Sequence, residues 1–270
     1  MKKNWKILLL LLSLTSCEKI VNIDLNSTYP RYVIEGNLSN SDEGAIVKIT
    51  QTKNFYENNT FPGVKNAVVK ITDSGGTIHT LLYADSGVYK AFRLKGVPGE
   101  TYTLSVDING EHFSSESTMP KPVPVDSIYF SWKKYTFAPD TMYSVMLEFT
   151  DPGDVENYYR FIMRINDRKR KQIYVSSDEF VNGKSVKAEF MYFSHEDGED
   201  SPKLQNGDIM EIEMRCIDKN VYTYFLELNK TIYGNSAGLG NPTSNIKGGA
   251  LGYFSAHTVW KGKAVVVTTR

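Results

Sequence analysis

The first residues in the chain that point to chemistry are Leu14-Thr15-Ser16-Cys17. They follow a basic start and an apolar run from Ile7 to Leu14, which together have the layout of an export signal too short to span a bilayer. A cysteine directly after the cleavage point offers a thiolate that diacylglycerol can alkylate, and the amine freed by cleavage can then be acylated. The sequence therefore predicts a lipoprotein signal peptide over residues 1–16 and a mature chain that begins at a lipidated Cys17. An ordinary signal peptide with a chance cysteine is the alternative.

Lipidation at Cys17 would fix the protein to a membrane. Each buried methylene of an acyl chain such as palmitate contributes about 0.8 kcal/mol, and one chain alone holds only marginally, so firm anchoring needs several chains. Residues 17–29 are short and mostly polar. They predict a tether between the lipid and the folded part of the protein.

An acidic cluster is the one candidate metal site. Glu196, Asp197, Glu199 and Asp200 surround Gly198, and calcium takes about six to eight oxygen ligands. The spacing differs from that of an EF-hand loop, and a solvated acidic bend is the competing interpretation. We therefore predict no metal site beyond this calcium candidate.

Three aromatic residues, Phe55, Tyr56 and Phe61, lie in an asparagine-rich loop where the alternation of a strand is absent. Exposed aromatic side chains are enriched at interfaces, whereas buried ones cap cores. The loop is therefore either a contact patch for a partner or ligand, or a segment that folds over the edge of a sheet.

Signatures of catalysis are absent from the sequence. It has no Gly-x-Ser-x-Gly elbow, phosphate-binding loop or dinucleotide fingerprint, and its four histidines stand apart from one another and from Cys216. Asp151 and Asp154 fit a turn better than a catalytic pair, because aspartate hydrogen-bonds to its own turn backbone. Cys216 has the neighbours of a small buried apolar residue. We predict that the protein is not an enzyme and that it needs no cofactor.

The charge balance argues against nucleic acid as a partner. Removal of residues 1–16 takes away three lysines and no acid, which leaves 28 basic residues against 31 acidic ones. A chain so close to neutral lacks the basic footprint that nucleic acid requires.

Strand-forming residues dominate the composition, with 17 Tyr and 13 Phe, many of them in alternating runs. Between residues 30 and 118, short runs at about eight-to-twelve-residue spacing are separated by turn signals such as Asn109-Gly110, a typical type I′ hairpin turn. The run 119–125 carries three prolines and predicts an extended linker. The predicted fold is therefore mainly β, with one Ig-like β-sandwich over 30–118 and a second β-sandwich-like domain over 126–270.

One inserted helix is predicted in the second domain, over about residues 218–233. Asp218 is a good N-cap, apolar residues recur at helical spacing from Val221 to Ile232, and Gly234 can end the helix.

The end of the chain is predicted to form two strands, over residues 252–256 and 263–268, the second with Val265, Val266 and Val267 buried. The glycines that precede and begin the first of these strands are interpreted as backbone devices for positive φ or for close approach to the sheet.

Several short motifs agree in order and spacing along nearly the whole chain. They are Cys17-Glu18-Lys19, Tyr32-Val33-Ile34-Glu35-Gly36-Asn37, Asn58-Asn59-Thr60-Phe61-Pro62-Gly63-Val64, Val125-Asp126-Ser127-Ile128, Asp151-Pro152-Gly153, and Gly248-Gly249-Ala250-Leu251-Gly252-Tyr253-Phe254. In these motifs the chain resembles the outer-membrane lipoprotein family called domain of unknown function 4249. Residues 64–118 also resemble the carboxypeptidase regulatory-like or transthyretin-like sandwich.

The family resemblance implies a protein that is lipid-anchored at the outer membrane and that accompanies a TonB-dependent receptor. It implies no catalytic residues. Our first hypothesis is a binding or accessory protein in nutrient uptake or complex assembly, on either the periplasmic or the cell-surface face. The alternative is a structural or adhesive envelope module with no small ligand.

Overall fold

The computed structural model describes residues 30–53, 61–134, 141–192, 203–234 and 240–268. Within these ranges the chain forms fifteen strands and one helix. In chain order they are β1 (Tyr32–Ser39), β2 (Ala45–Gln51), β3 (Val68–Thr72), β4 (Ile78–Asp85), β5 (Val88–Ala91), β6 (Thr101–Ile108), β7 (Glu111–Thr118), β8 (Val125–Lys134), β9 (Thr141–Thr150), β10 (Tyr158–Ile165), β11 (Arg168–Lys169), β12 (Tyr174–Ser177), β13 (Ser185–Tyr192), β14 (Ile209–Ile217), α1 (Lys219–Tyr233) and β15 (Leu251–Val265). The predicted mainly β fold with one helix is confirmed.

The first half of the chain builds a sandwich around one apolar core. Strands β1, β2, β5, β4, β3, β6 and β7 pair in that order, and the register shifts between Tyr83 and Asp85 where β4 meets β5. The sheet folds over itself, so that Ile34 and Leu38 of β1 share a core with Leu104 and Val106 of β6. Asn109 and Gly110 join β6 to β7 with φ of 50° and 86°, which confirms the predicted hairpin turn.

The second half packs two sheets around a separate core. A three-stranded sheet in the order β13-β9-β8 brings Val145, Leu147 and Phe149 of β9 against Phe161 of β10 and Met214 of β14. These residues alternate along their strands with residues of the opposite face, as the period of two requires.

Strand β15 connects the two halves. It pairs parallel to β1, from Val33 opposite Leu251 to Ser39 opposite His257, and antiparallel to β14. Its residues Phe254 and Ala256 belong to the first core. The strand thus joins both halves in one sheet that runs from β11 to β7.

The two predicted closing strands were wrong, because β15 is one strand of fifteen residues. Polar residues between Ala256 and Lys263 interrupt the apolar pattern, so the sequence indicated two strands where there is one. Val266 is buried as predicted, but Val265 and Val267 are 55% and 59% exposed. Alternation along an extended chain allows only the middle valine of the three to face the core.

The division of the chain at 119–125 into two domains stays a prediction, as does the transthyretin-like resemblance of residues 64–118. In the structure Met119 is buried in the first core and Val123 in the second. The proline-containing run is therefore held at both ends by side-chain packing.

Helix α1 begins and ends where the sequence predicted. The carboxylate of Asp218 accepts a hydrogen bond from the Val221 amide at 3.0 Å, which satisfies one of the free N–H groups of the first turn. The apolar face of the helix docks on the sheet, where the ring centroid of Phe225 lies 4.8 Å from that of Tyr253.

A substitution at Gly252 tests the close pairing between β15 and β1. Its φ is +103°, and a Cβ there would lie 2.0 Å from the carbonyl oxygen of Ile34. We expect Gly252→Ala to lower the free energy of unfolding, measured by urea titration, by about 3 kcal/mol or more, because strain at positive φ is joined by a clash with backbone.

Gly249 is the matched control for this substitution, because its φ is +91° but no atom lies within 4 Å of the added Cβ. Gly249→Ala should cost only the conformational strain of about 1–2 kcal/mol. Equal losses for the two variants would contradict the close approach of β15 to β1.

Candidate functional site

Around β10, β14, β15 and β1, one face of the large sheet packs on the apolar cores, and the other, the polar face, carries charged groups beside helix α1. On β14, Met210, Ile212 and Met214 face the second core, so Glu211 and Glu213 point to the opposite side. The same alternation operates on β10, β15 and β1. The charged groups of four neighbouring strands are therefore collected on one side of the sheet.

A cavity of about 190 Å³ opens on this polar face. Its charged lining is contributed by Arg160, Arg164, Lys169, Arg215 and Glu43. Four of these five groups are cations, so the cavity has a positive potential.

Uncharged polar groups also line the cavity. They are Asn37 and Ser39 of β1 and Tyr253 and His257 of β15. The ring of His257 is 1% exposed, and its Nδ1 lies 3.0 Å from Ser255 Oγ. Burial and the charges of Arg215 and Arg160 hold the pKa of His257 well below its usual range, so the imidazole is neutral near pH 7.

Glu213 is the buried carboxylate beneath this cavity. It is 1% exposed. It accepts hydrogen bonds from Arg164 Nη1 at 2.7 Å and from Arg215 Nε at 2.6 Å. Desolvation acts to raise the pKa of Glu213, but the charges and hydrogen bonds of Arg215 and Arg164 outweigh it and lower the pKa to about 2. Glu213 is therefore ionised at neutral pH and orders both guanidinium groups.

Arg160 differs from those two arginines. It stands directly opposite Arg215 in the β10–β14 pairing, and like charges in that position destabilise an antiparallel pair. Its Cζ lies 3.5 Å from the ring centroid of Phe225 on α1. Among the described residues no carboxylate forms an ion pair with it. Desolvation and the charge of Arg215 lower its pKa.

Lys169 is the second cation of the cavity without a carboxylate partner in the described ranges. It lies on β11 opposite Arg164. Desolvation and the charges of Arg160, Arg215 and Arg164 lower its pKa. The residue is exposed on β11, and the guanidinium groups of Arg160, Arg215 and Arg164 disfavour a further positive charge beside them.

Two lysines of β15 complete the charged cluster. Lys261 forms an ion pair with Glu43, and Lys263 Nζ lies 3.3 Å from Glu211 Oε2. Within the part of the chain that the structure describes, this cluster holds six cations and three carboxylates. The cations are Arg160, Arg164, Lys169, Arg215, Lys261 and Lys263, and the carboxylates are Glu43, Glu211 and Glu213.

A second and wider groove, of about 870 Å³, runs along β4 and β5. Its apolar lining is strongly exposed, with Leu82 at 72% and Phe92 at 75%. It lacks a buried ionised group comparable to Glu213, so the cavity on the polar face is the better candidate for a specific site.

Most residues predicted as sites lie outside the described residues. These are Cys17, Phe55, Tyr56, Glu196, Asp197, Glu199 and Asp200. Phe61 is described and is 56% exposed, near the bridge between Thr50 and Gly63. Across the described ranges, no three residues among His, Cys, Asp and Glu are grouped so as to hold a metal ion.

Asp151 and Asp154 are not brought together as a catalytic pair. Asp151 is 1% exposed and accepts hydrogen bonds from the Tyr159 hydroxyl and, at 3.2 Å, from the Gly183 amide. Asp154 is exposed. Cys216 is buried, as its sequence neighbours indicated, and burial raises the pKa of its thiol.

The residues of the cavity were missed by the sequence analysis. The alternation Glu211-x-Glu213-x-Arg215 indicated a strand, and the spacing Arg160-x-x-x-Arg164 places both arginines on one face of another strand. Those patterns could have suggested two charged strand faces. That the two faces are adjacent follows only from the pairing of β10 with β14.

Glu213 provides a test of this ion cluster. We expect Glu213→Gln to lower the free energy of unfolding at pH 7 by about 3 kcal/mol, because it leaves Arg215 without its carboxylate and Arg164 with Glu211 alone. Urea titration measures the loss. Glu156→Gln is the control, since Glu156 pairs with Lys219 at the surface with 72% of its side chain exposed, and it should have little effect.

The stability difference between the wild type and Glu213→Gln should depend on pH. The pKa of Glu213 is lowered in the folded protein from its ordinary value of 4.5 to about 2. The ionised group therefore stabilises the fold fully above about pH 5, and this contribution is lost as the pH falls through the folded-state pKa. Urea titrations between about pH 5 and pH 2 should show the two proteins converging, and a constant difference would contradict the ion cluster.

Comparisons with known proteins agree with the resemblance seen in the sequence. No curated protein matches the chain. Among solved structures, the adhesin InvE of Yersinia pseudotuberculosis is similar at 15% identity with a TM-score of 0.22. The match covers 68% of this chain and 55% of the adhesin chain. The described residues include no helix that is long and apolar enough to cross a membrane. The family model described as Domain of unknown function (DUF4249) matches residues 18–263, and the chain belongs to that family.

Proposed function

We propose that the protein is a lipid-anchored binding or accessory protein of the outer membrane, which works with a TonB-dependent receptor in nutrient uptake or complex assembly. The observation that carries this proposal is the cavity on the polar face of the sheet. A concave site with several convergent charged groups is expected of a binding protein, and a purely structural module does not need one.

The lining is suited to hold a ligand because its groups are positioned before any ligand arrives. Arg164 and Arg215 are fixed by the buried Glu213, and Arg160 lies against Phe225. All of them are on strands of one sheet, and rigid elements hold side chains more accurately than loops do. The proposed mechanism is therefore non-covalent binding without a catalytic step.

The lipid at Cys17 would keep this site close to the membrane. Thirteen residues, 17–29, separate the anchor from the described part of the chain, and even a fully extended segment of that length spans only about 45 Å. A receptor in the same membrane would then meet the site at high effective concentration.

Cys17→Ala tests the anchor. We expect the wild type in the outer-membrane fraction with an acylated N-terminus by mass spectrometry, and the variant in the soluble envelope fraction, because the thiol that receives the lipid is gone. Cys216→Ala is the matched control, since Cys216 is the buried cysteine of the folded part, and it should remain with the membrane. An unacylated wild type, or a Cys17→Ala variant that stays with the membrane, would contradict the anchor.

Co-purification tests the partner. We expect a TonB-dependent receptor, identified by mass spectrometry, to accompany the protein in stoichiometric amount when envelopes are solubilised in mild detergent. Absence of a receptor together with retained cell adhesion would favour the structural or adhesive module instead. Proteinase treatment of intact cells then decides between the periplasmic and cell-surface faces.

A further inference from the structure

The charged side chains around the cavity include two cations that no carboxylate of the described residues pairs with. Arg164, Arg215, Lys261 and Lys263 all lie within ion-pair distance of a carboxylate. Arg160 and Lys169 do not, among the described residues. The excess positive charge is therefore concentrated on these two side chains, which line the same cavity.

This excess is unfavourable for the empty protein. Arg160 faces Arg215 across the β10–β14 pairing, and the pKa of Lys169 is lowered by desolvation and by three nearby arginines. Each of these contacts disfavours the folded state, and the charge of Glu213 offsets them only in part, because the pKa of both side chains stays lowered. Natural proteins tolerate such local destabilisation where it serves binding.

The shape of the groups indicates which negative charge would fit. The guanidinium of Arg160 lies against the ring of Phe225, and this contact restricts its orientation. A guanidinium presents a planar fork of N–H donors that matches the oxygens of a carboxylate or a phosphate. Asn37 and Ser39 add neutral polar groups to the wall.

The size of the cavity limits the ligand. A volume of about 190 Å³ has room for several water molecules. That space suits a small molecule or the acidic group of a larger one, and it is too small for a folded segment.

We propose that the cavity binds a small molecule through a carboxylate or phosphate group, with Arg160 and Lys169 as the binding cations. This inference rests on the proposed binding function and names its ligand class. Arg164, Arg215 and Glu213 act as positioning residues, because their charges are already paired with one another.

Calorimetric titration of the full-length lipoprotein in a non-ionic detergent tests the inference. The probes are inorganic phosphate and succinate, at pH 7.5 and constant ionic strength set with chloride, with glucose as the neutral control. We expect saturable binding of at least one of the two anions, no heat with glucose, and a rise in the thermal midpoint with the same anion. Preference for phosphate or for succinate then separates the two ligand groups.

Two variants locate the binding. Lys169→Met and Arg160→Lys should each lower the affinity for the anion by about tenfold or more. The first removes a charge, and the second removes the planar fork of N–H donors. Lys121→Met removes the same charge as Lys169→Met at an exposed position of the 119–125 run, and it should leave binding unchanged.

Thermal unfolding without ligand distinguishes binding from a structural role. Since Lys169 has no carboxylate partner in the described ranges, Lys169→Met should keep or raise the thermal midpoint of the free protein while it lowers the affinity for the anion. Absence of binding by both anions to the folded wild type, or full affinity in both cavity variants, would overturn the inference. A receptor that still co-purifies in that case would leave the proposed accessory function standing.

Discussion

The buried carboxylate of Glu213 is the charge on which the polar side of this sheet depends. An ionised group at 1% exposure is stable only with charged partners, and Arg164 and Arg215 supply them. By engaging those two arginines, Glu213 fixes two of the side chains that line the cavity. It also leaves Arg160 and Lys169 without carboxylate partners in the described structure. The same interaction therefore sets both the stability of the region and the positive potential of the cavity.

Strand β15 contributes residues both to the apolar cores and to the cavity. Along this strand Phe254 and Ala256 face the first core, and Ala264 faces the second. Tyr253 and His257 alternate with them and line the cavity. One strand thus closes two apolar cores on one side of the sheet and supports a polar site on the other, so cavity and cores share the same backbone.

Several local features were predictable from the sequence because each depends on neighbours in the chain. Asp218 caps α1 as expected, Asn109 and Gly110 form the expected turn, and Gly252 has the positive φ and close approach expected of the C-terminal glycines. The long β15 was not predictable, since its polar residues face charges on β14 that lie about fifty residues earlier in the chain. A pattern of hydrophobicity does not contain that information.

The sequence by itself determined the lipobox prediction, the mainly β fold class, helix α1 and the family. All of these depend on residue types at short spacing, where turn chemistry, capping and alternation act locally. Only the tertiary structure decided the candidate site. Arg160, Glu213 and His257 lie far apart in the chain and meet because β10, β14 and β15 pair side by side. Long-range strand pairing is set by the packing of whole strand faces, and for that reason no local motif predicted the cavity.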